Sequence, residues 1–520
     1  MKKELISKFL VSLVAILFFI LMALNSFLVL TKTAIFPSDY QETLYYSHDN
    51  TILNIVLVIL FSIALFFLSK YIKKIIGIKR FVLLAMIYLF IVSLLFAILR
   101  RDYVQYDPFN VIDQASNFLR GNYTGLEKGN NYLYIYSHQI TTVFMFQILF
   151  AIFGRVTFIL YLLQCFSISY ILFMLYKISN ILFNNEDTAY ITVILTLFSF
   201  PLVFYVAFIY GTLPGMFLTL LAFYHFIKYY KTKNWYDLVI VLLSINVAIL
   251  LIGNNLINML AIFSVAVILL IKKFDKKILL FMICTLIFMT GAKSTIENYY
   301  SVASQKDIPK GVNKISWIAM GMQEGDREAG WWNKFNYDIM TEEDYDNDKV
   351  VEISKKSIMQ RVDVFQKNPK YALDFYVRKY ENQFIEPTFQ SLVITVPQKD
   401  VEEGNILIAI KNKILKELYF GTTNKILFFI MKIMQIFIYV FTMAFALITF
   451  KKKKENYLII PISFIGGTIF HMVWEAKSRY IFPYFIFLIP LAAYGFNITK
   501  DIVVKYYNKK RGKNYVEKIS

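Results

Sequence analysis

One polar loop, residues 100–139, concentrates acidic, basic and aromatic side chains that could do chemistry. Within it, Asp107 follows the basic pair Arg100 and Arg101. A carboxylate held near cations could act as a general base on a hydroxyl acceptor. The residue after Asp107 is a proline, which the first turn of a helix tolerates, so Asp107 could instead be the N-cap of a short helix over residues 109–119. The sequence leaves both roles open.

The elements that must position this loop are apolar. The chain has 520 residues, of which 58% are hydrophobic and 18% aromatic, and its mean hydropathy is +0.53. These values exclude an ordinary water-soluble protein. Runs such as residues 9–30 and 426–450 reach the roughly 20 residues that cross a bilayer core of about 30 Å, where the backbone of a single apolar segment must be helical. We therefore predict an all-α polytopic membrane protein.

About twelve transmembrane helices are predicted, together with an extracytoplasmic domain that is mixed or mainly helical. The predicted spans are residues 8–30, 51–70, 81–99, 155–177, 188–209, 213–230, 236–252, 256–271, 278–293, 426–449, 457–474 and 480–498. They divide the chain into three parts. These are an N-terminal transmembrane bundle (1–292) with a catalytic outer loop (100–154), an extracytoplasmic soluble domain (293–424), and C-terminal transmembrane helices with a basic tail (425–520).

The distribution of charge predicts which side each connection occupies. The stretch 293–424 holds 18 basic and 20 acidic residues, which leaves 37 basic and 16 acidic residues elsewhere, mostly in short connections. Lys-rich connections remain in the cytoplasm. We therefore predict a plasma-membrane protein with both termini in the cytoplasm. The segments on the extracytoplasmic side are 31–50, 100–154, 293–424 and 475–479. Because the net charge of +19 follows this topology, we do not expect nucleic-acid binding.

Four segments have a helical pattern without being clear spans. Residues 141–153 are apolar but too short to cross comfortably, so we predict a helix lying at the membrane interface. If this segment did cross, every later connection would change sides, against the charge bias. Residues 350–365 and 368–384 show apolar side chains at helical spacing, and residues 405–418 have an amphipathic pattern typical of a helix lying on the membrane.

The polar loop resembles the corresponding region of the GT-C glycosyltransferases. In that family an acid just outside an early span precedes a helix with an alanine, a Gly and Tyr pair, a Tyr-rich stretch and an apolar helix ending in Phe-Gly. The matching residues here are Asp107, Ala115, Gly121, Asn122, Tyr123, Tyr136, Ser137, His138, Gln139, Phe153 and Gly154. The most similar branch comprises protein O-mannosyltransferase and aminoarabinose-transferase-like bacterial enzymes.

Two further patches carry the same resemblance. Residues 471–483 contain Glu475, Lys477 and Arg479 ahead of a Tyr and a Pro, and are similar to the motif that begins the last span in this branch. Residues 317–322 and 330–333 resemble the soluble segment of Gram-positive members.

This resemblance implies that the chain transfers a hexosyl or pentosyl group from a polyprenyl-phosphate donor to an extracytoplasmic acceptor, such as a cell-wall glycopolymer, a glycolipid or a protein. Asp107 would be the catalytic base. Lys477 and Arg479 would neutralise the leaving phosphate, unless they only snorkel to the interface. The other residues expected to bind substrate are Arg100, Arg101, Tyr136, His138 and Glu475, with an interfacial aromatic belt as the alternative for the tyrosines; Asp102 and Asp113 are weaker acid candidates.

The sequence gives little support for a metal or another cofactor. Related enzymes often carry a second carboxylate in the next outer loop, but residues 210–214 contain no acid here, and a divalent cation needs several oxygen ligands. Cys165 and Cys284 lie in apolar segments, and the four histidines are scattered, so neither a disulfide framework nor a zinc site is predicted. The expected partners are the donor, the acceptor and membrane lipids.

Two other functions remain open from the sequence. A transporter or a lipid or polysaccharide flippase also has many helices, although carriers usually place ionisable residues near the middle of the membrane. In this chain the charges lie at the ends of the predicted spans. A scaffold that binds cell-wall material through residues 293–424 is the second alternative.

Overall fold

Helices joined by short connections make up nearly all of the chain that the structure, a computed structural model, describes: residues 2–100, 104–129, 131–397, 406–449 and 455–510. The strands β1 (Lys32–Ile35) and β2 (Tyr45–His48) pair antiparallel, with Lys32 opposite His48. The helices are α1 (Lys2–Thr31), α2 (Thr51–Ile75), α3 (Ile78–Arg100), α4 (Tyr106–Leu119), α5 (Tyr132–Ile135), α6 (Ile140–Phe153), α7 (Phe158–Phe183), α8 (Glu186–Leu197), α9 (Pro201–Phe204), α10 (Thr212–Thr232), α11 (Trp235–Leu251), α12 (Leu256–Lys272), α13 (Lys276–Ser304), α14 (Lys314–Gly321), α15 (Phe335–Glu342), α16 (Asn347–Lys367), α17 (Pro369–Phe384), α18 (Ile406–Tyr419), α19 (Thr422–Thr449), α20 (Ile459–Val473), α21 (Ser478–Phe487) and α22 (Ile489–Lys510).

Seven helical segments among the described residues are long and apolar enough to cross a membrane. They are α1, α2, α3, α7, α12, α13 and the continuous pair α18–α19. Two bent pairs, α8 with α9 and α21 with α22, raise the number to nine if each pair is one span. The chain is thus an all-α protein built around apolar, membrane-length helices. The count of about twelve stays a prediction, because α11 and α20 have only 17 and 15 residues, roughly 25 Å and 22 Å of helix.

The long helices differ in how much of their apolar surface other helices cover. In α2 and α13 only 17% of the most apolar window is buried, whereas 61% is buried in α7. Large apolar side chains such as Ile52, Phe67 and Leu280 therefore point away from the protein. An outward apolar surface of this kind is stable when lipid surrounds it. The arrangement places α7 in the centre of a bundle and α2 and α13 at its edge.

At one end of the bundle, which we call the loop end, segments distant in sequence are joined by backbone hydrogen bonds. The amide of Ala34 in β1 donates to the carbonyl of Ile385 (3.1 Å), and that of Val312 donates to Ile135 (2.9 Å). The amide of Ala476 donates to Gly330 (2.9 Å). All four segments predicted to face outward thus meet at one end. The side of the membrane that the loop end faces stays a prediction.

At the opposite end, which we call the basic end, the Lys-rich connections form ion pairs with one another's acids. Lys73 contacts Asp187 (2.7 Å), and Lys272 contacts Glu455 (2.6 Å). The predicted cytoplasmic cluster at 451–454 lies outside the described residues. The separation of the two ends matches the alternation of outer and inner connections expected from the charge pattern.

Several predicted boundaries can be compared with the helices. The predicted helices over residues 350–365 and 368–384 are confirmed as α16 and α17. The predicted span over residues 278–293 lies within α13, which continues past it to Ser304 and carries polar residues into the loop end. In α18 the apolar residues Ile406 and Leu407 are exposed, as expected for an amphipathic helix that lies against lipid.

Helix α6 occupies residues 140–153, the segment predicted to lie at the interface. It has 14 residues, about 21 Å, which is short of the bilayer core. The Thr142 hydroxyl donates to the carbonyl of Leu251 at the end of α11 (2.9 Å), and the Tyr300 hydroxyl donates to Gln147 (2.5 Å). These contacts hold α6 at the loop end of α11 and α13.

The segment 385–396, after α17, lies inside the bundle. Glu386 is fully buried, and its carboxylate accepts hydrogen bonds from the amides of Thr388 and Gln390 (both 2.7 Å) and from the hydroxyl of Ser478 (2.8 Å). The Tyr205 hydroxyl donates to the carbonyl of Phe389 (2.7 Å). The sequence predicts that this segment belongs to the soluble domain 293–424. In the structure it packs between Tyr205, which follows α9, and helix α21. The division into domains stays a prediction.

The side of the membrane that each end of the bundle faces can be measured by adding one exposed cysteine at a time. The background is Cys284→Ser, which retains only the buried Cys165. We expect Glu342→Cys at the loop end to react with a membrane-impermeant maleimide on intact cells, and Lys273→Cys at the basic end to react only after permeabilisation. Both side chains are exposed, so a difference in labelling reports sidedness and not burial. The reverse pattern would place the loop end in the cytoplasm.

Candidate active site

Asp107 lies in the first turn of α4. The helix begins at Tyr106, and Gln105 occupies the N-cap position. The predicted capping role of Asp107, with a helix starting at residue 109, is therefore wrong. A carboxylate in the first turn is stabilised by the positive end of the helix dipole. Tyr106 has a φ of 57°, a strained conformation for an aromatic residue and one that often accompanies functional sites.

Two tyrosines join Asp107 to other parts of the chain. The Tyr132 hydroxyl in α5 donates to the Asp107 carboxylate (3.3 Å) and also lies 3.3 Å from the hydroxyl of Tyr210. Burial, followed by the neighbouring Tyr210 and Asp107, raises the pKa of Tyr132 well above its ordinary value, so Tyr132 is a neutral donor. The loop at 210–214, which contains no acid, thus supplies a phenol beside Tyr132.

Lys477 is a buried cation at the loop end. Its side chain is 3% exposed, its ammonium lies 3.3 Å from Glu42 and 3.9 Å from Glu475, and it stands 5.2 Å from the centre of the Trp331 ring. Burial, and then the charge of Arg479, lowers the pKa of Lys477 even though both carboxylates oppose that shift. The alternative that Lys477 only snorkels to the interface is therefore wrong.

Glu42, in the loop between β1 and β2, was not among the predicted site residues. Its carboxylate contacts both Lys477 and Arg327. Burial alone would raise the pKa of Glu42, but the charges of Lys477, Arg327 and Arg479 together lower it, so Glu42 is ionised. An acid in a short outer loop was the available signal in the sequence, but nothing nearby indicated which cation it would meet.

Arg479 interacts with both acidic parts of the site. Its guanidinium donates to the Tyr480 hydroxyl (2.9 Å), which in turn donates to Glu475 (3.0 Å). The charges of Glu475 and Asp107 both act on Arg479. Arg479 is only half-buried, in contrast to Lys477. The structure therefore brings the predicted residues Glu475, Lys477 and Arg479 into one charged cluster. Asp107 is connected to it through Tyr132, Tyr210 and the Phe208 ring, which lies 5.5 Å from the Tyr210 ring and 5.9 Å from the Arg479 guanidinium.

Arg100 lies elsewhere. Its guanidinium is buried 6.0 Å from the centre of the Tyr419 ring and hydrogen-bonds the phenol, while its carbonyl accepts from Tyr161 (3.1 Å). A substrate-binding role for Arg100 stays a prediction. Arg101 and Asp102 lie outside the described residues. Asp113 accepts a hydrogen bond from Asn117 one turn further along α4 (2.8 Å).

Beside Asp107 lies an aromatic row, which we define as Tyr132, Tyr136, His138, Trp317 and Trp474. Successive ring centres are 5.3 Å apart for Tyr132 and Tyr136, and 6.2 Å apart for Tyr136 and His138. Trp317 lies 6.1 Å from His138 and 6.2 Å from Trp474, to which it is nearly parallel. The structure thus places the predicted residues Tyr136 and His138 in one row with two tryptophans that the sequence analysis did not select as site residues.

Lys379 in α17 connects the segment around Gly321 to the end of α20, next to the site. It is fully buried, and its ammonium donates to the carbonyls of Gly321 and Trp474, the second at 2.8 Å. Burial lowers the pKa of Lys379 to about 7, although Glu475 opposes the shift. A Cβ at Gly330 would lie 2.6 Å from the Lys379 side chain, so glycine is required there. Lys379 therefore fixes the backbone just before Glu475.

Among the described residues, no group of three or more His, Cys, Asp and Glu side chains is arranged to hold a metal ion. Comparisons of the chain with protein-family models, curated proteins and solved structures give no match. The chemistry of the site must therefore be argued from its own residues.

The buried ion pair gives a stability prediction. We expect Glu42→Gln to lower the free energy of unfolding by about 3 kcal/mol, because Lys477 is left buried without its closest carboxylate. Thermal unfolding in detergent measures the effect, with Glu4→Gln at the exposed pair with Lys8 as the control. Adding Lys477→Met to Glu42→Gln should recover part of the loss; a further loss of stability would contradict the pairing.

Lys379 gives a pH prediction. Its folded pKa is about 7 and its ordinary value is 10.5, so between these values the unfolded chain binds more protons and stability rises with pH. We expect the melting temperature of the wild type to rise relative to that of Lys379→Met as the pH increases from 7 to 10. Lys367→Met, at an exposed position, should show the wild-type trend. Parallel curves for all three proteins would contradict the buried amine.

Proposed function

We propose that the chain is a membrane glycosyltransferase that moves a sugar from a polyprenyl-phosphate donor to a hydroxyl group on an acceptor at the loop end. The observation that carries the proposal is that contacts connect Asp107 to cations predicted from a separate part of the sequence. Tyr132 and Tyr210 lead from Asp107 to the Phe208 ring, which lies 5.9 Å from the Arg479 guanidinium. Arg479 and Lys477 both interact with Glu475, the first through Tyr480. A base and a phosphate-binding group close together are what this transfer requires. The proposal also draws on the resemblance of these motifs to GT-C enzymes.

Asp107 has the features expected of the base. The acceptor oxygen attacks the anomeric carbon, its proton passes to the Asp107 carboxylate, and a new glycosidic bond forms. The bond between the anomeric carbon and the phosphate oxygen breaks, and the electron pair leaves with the polyprenyl phosphate. Tyr132 orients the carboxylate by its hydrogen bond, and the dipole of α4 stabilises the ionised form.

Arg479 is the group best suited to the leaving phosphate. It is half-buried, so a ligand can reach it, and a guanidinium offers paired donors to phosphate oxygens. Lys477 is already engaged by Glu42, so it contributes positive potential and holds the loop between β1 and β2 in place. Glu475, joined to Arg479 through Tyr480, orients the guanidinium.

We further propose that the chain crosses the plasma membrane about twelve times, with the loop end outside and both termini inside. This topology places Asp107 where a lipid-linked sugar and an extracytoplasmic acceptor can meet. The ion pairs at the basic end and the assembly of four predicted outer segments at the loop end support it.

A flippase for a lipid-linked glycan is the second candidate, and one observation favours it. The pairs α8–α9 and α21–α22 are bent by 49° and 53°, and interrupted helices are common in carriers. However, Arg479 lies in the first turn of α21, at the loop end and not at the break. The transferase accounts for that position better.

Asp107→Asn tests the proposal. With purified protein and a polyprenyl-phosphate sugar, we expect transfer to fall by about 10²–10⁴-fold, because the amide cannot accept the proton. Mass spectrometry of surface glycopolymers should show loss of the same sugar in cells that carry this variant.

Asp113→Asn, on the same helix and outside the Tyr132 contact, is the matched control and should retain transfer. Full activity of Asp107→Asn would exclude Asp107 as the catalytic base. Export of an intact lipid-linked glycan by both variants, without sugar transfer by either, would favour the flippase.

A further inference from the structure

The aromatic row differs from the core aromatics of the loop end in its exposure. Trp331, which packs beside Lys477, is 1% exposed. In contrast, Tyr136, Trp317 and Trp474 are half-buried and His138 is exposed. The rings of the row are less covered than the core ring of Trp331, so part of their surface is accessible to a ligand, although one neighbour, Phe470, stacks on Trp474 at 5.2 Å.

The row begins at the reacting carboxylate and extends away from it. Tyr132 donates to Asp107, and the charge of Asp107 also acts on the Tyr136 phenol. Trp317 then contributes a ring from α14, and Trp474 contributes one from the end of α20. A molecule lying along the row would therefore present one end to Asp107.

The chemistry of the row favours an uncharged, flat and hydroxylated ligand. Aromatic faces bind apolar surfaces, while phenol, imidazole and indole edges exchange hydrogen bonds. A sugar ring combines an apolar C–H face with hydroxyl groups at its edge, so it matches both parts. Among the described residues, no ion pair involves a member of the row, whereas Arg479 and Lys477 lie in the charged cluster.

Other ligands fit the row less well. An extended peptide usually pairs with a free strand edge, but the described hairpin already donates from Ala34 to Ile385. An isoprenoid chain gains nothing from the polar edge of the exposed His138. An anionic polymer would need cations along the row, and the row itself consists of two phenols, an imidazole and two indoles.

We propose that the aromatic row is the acceptor site and that the acceptor is an uncharged oligosaccharide stacked on Tyr136, Trp317 and Trp474. This inference rests on the proposed transferase function, since it assigns the second substrate of the same site. The sugar nearest to Tyr132 would present its hydroxyl to Asp107.

Direct binding to the full chain in lipid nanodiscs tests the site without requiring catalysis. The probes are neutral tetrasaccharides of glucose, mannose and N-acetylglucosamine, a polyglycerol phosphate, and a Ser/Thr-rich peptide, each titrated by calorimetry. We expect at least one tetrasaccharide to bind, and Trp317→Ala and Trp474→Ala each to weaken it about tenfold, roughly one lost ring contact. Trp317→Phe, which keeps a ring, should recover most of the affinity.

Trp235→Ala is the matched control, because Trp235 is half-exposed and pairs with Tyr236 at the basic end. It should bind the tetrasaccharide as the wild type does. Equal binding by Trp317→Ala and the wild type, preferential binding of the peptide or the polyglycerol phosphate, or no binding of any tetrasaccharide would each overturn the proposal.

The two proposals fail separately. Asp107→Asn should abolish transfer and still bind the tetrasaccharide, with a loss no larger than one hydrogen bond to the acceptor hydroxyl, because the rings of the row remain. Saccharide binding that depends on Trp317 would support the site even if no donor sugar were transferred. Transfer that depends on Asp107 but not on Trp317 would support the transferase function and exclude the aromatic row as the acceptor site.

Discussion

The buried Lys477 ammonium is the constraint on which the loop end depends. A cation removed from water is stable only beside an anion, and here that anion is Glu42, which lies 435 positions earlier in the chain. Meeting this requirement brings the loop between β1 and β2 over the start of α21. Arg327 joins from the soluble segment through the same carboxylate. One charge requirement thus draws together three parts of the chain, and Asp107 lies beside them.

The sequence predicted the helices well where hydropathy alone decides. The apolar runs that became α1, α2, α3 and α7 have no alternative in lipid, because their backbones must bond internally. Hydropathy does not predict the contacts made beyond the apolar runs. Helix α13 continues past its apolar run to Ser304, where Tyr300 is buried against Gln147, and segment 385–396 lies inside the bundle with Glu386 fully buried.

Residue types indicated part of the site, but not the partners. Asp107 stood out because it lies in a polar loop near cations, and Arg479 stood out because its motif resembles that of the GT-C enzymes. The sequence did not indicate Glu42, Tyr210 or Trp317 as site residues. Each of them is part of the site only through contacts with residues far away in sequence. A lone acid in a polar loop resembles any solvated residue. Only the folded chain shows that Glu42 meets a buried lysine.

Segment 385–396 has a consequence for how the protein is made. During synthesis, Glu386 leaves the ribosome before Ser478, which supplies one of the hydrogen bonds to its carboxylate. Phe389 likewise precedes the Phe485 ring against which it packs at 4.5 Å. A carboxylate is not taken into a bilayer interior until its donors are in place. The final packing of this segment therefore waits until α21 is in place. Docking of α21 is then the event that completes this part of the fold.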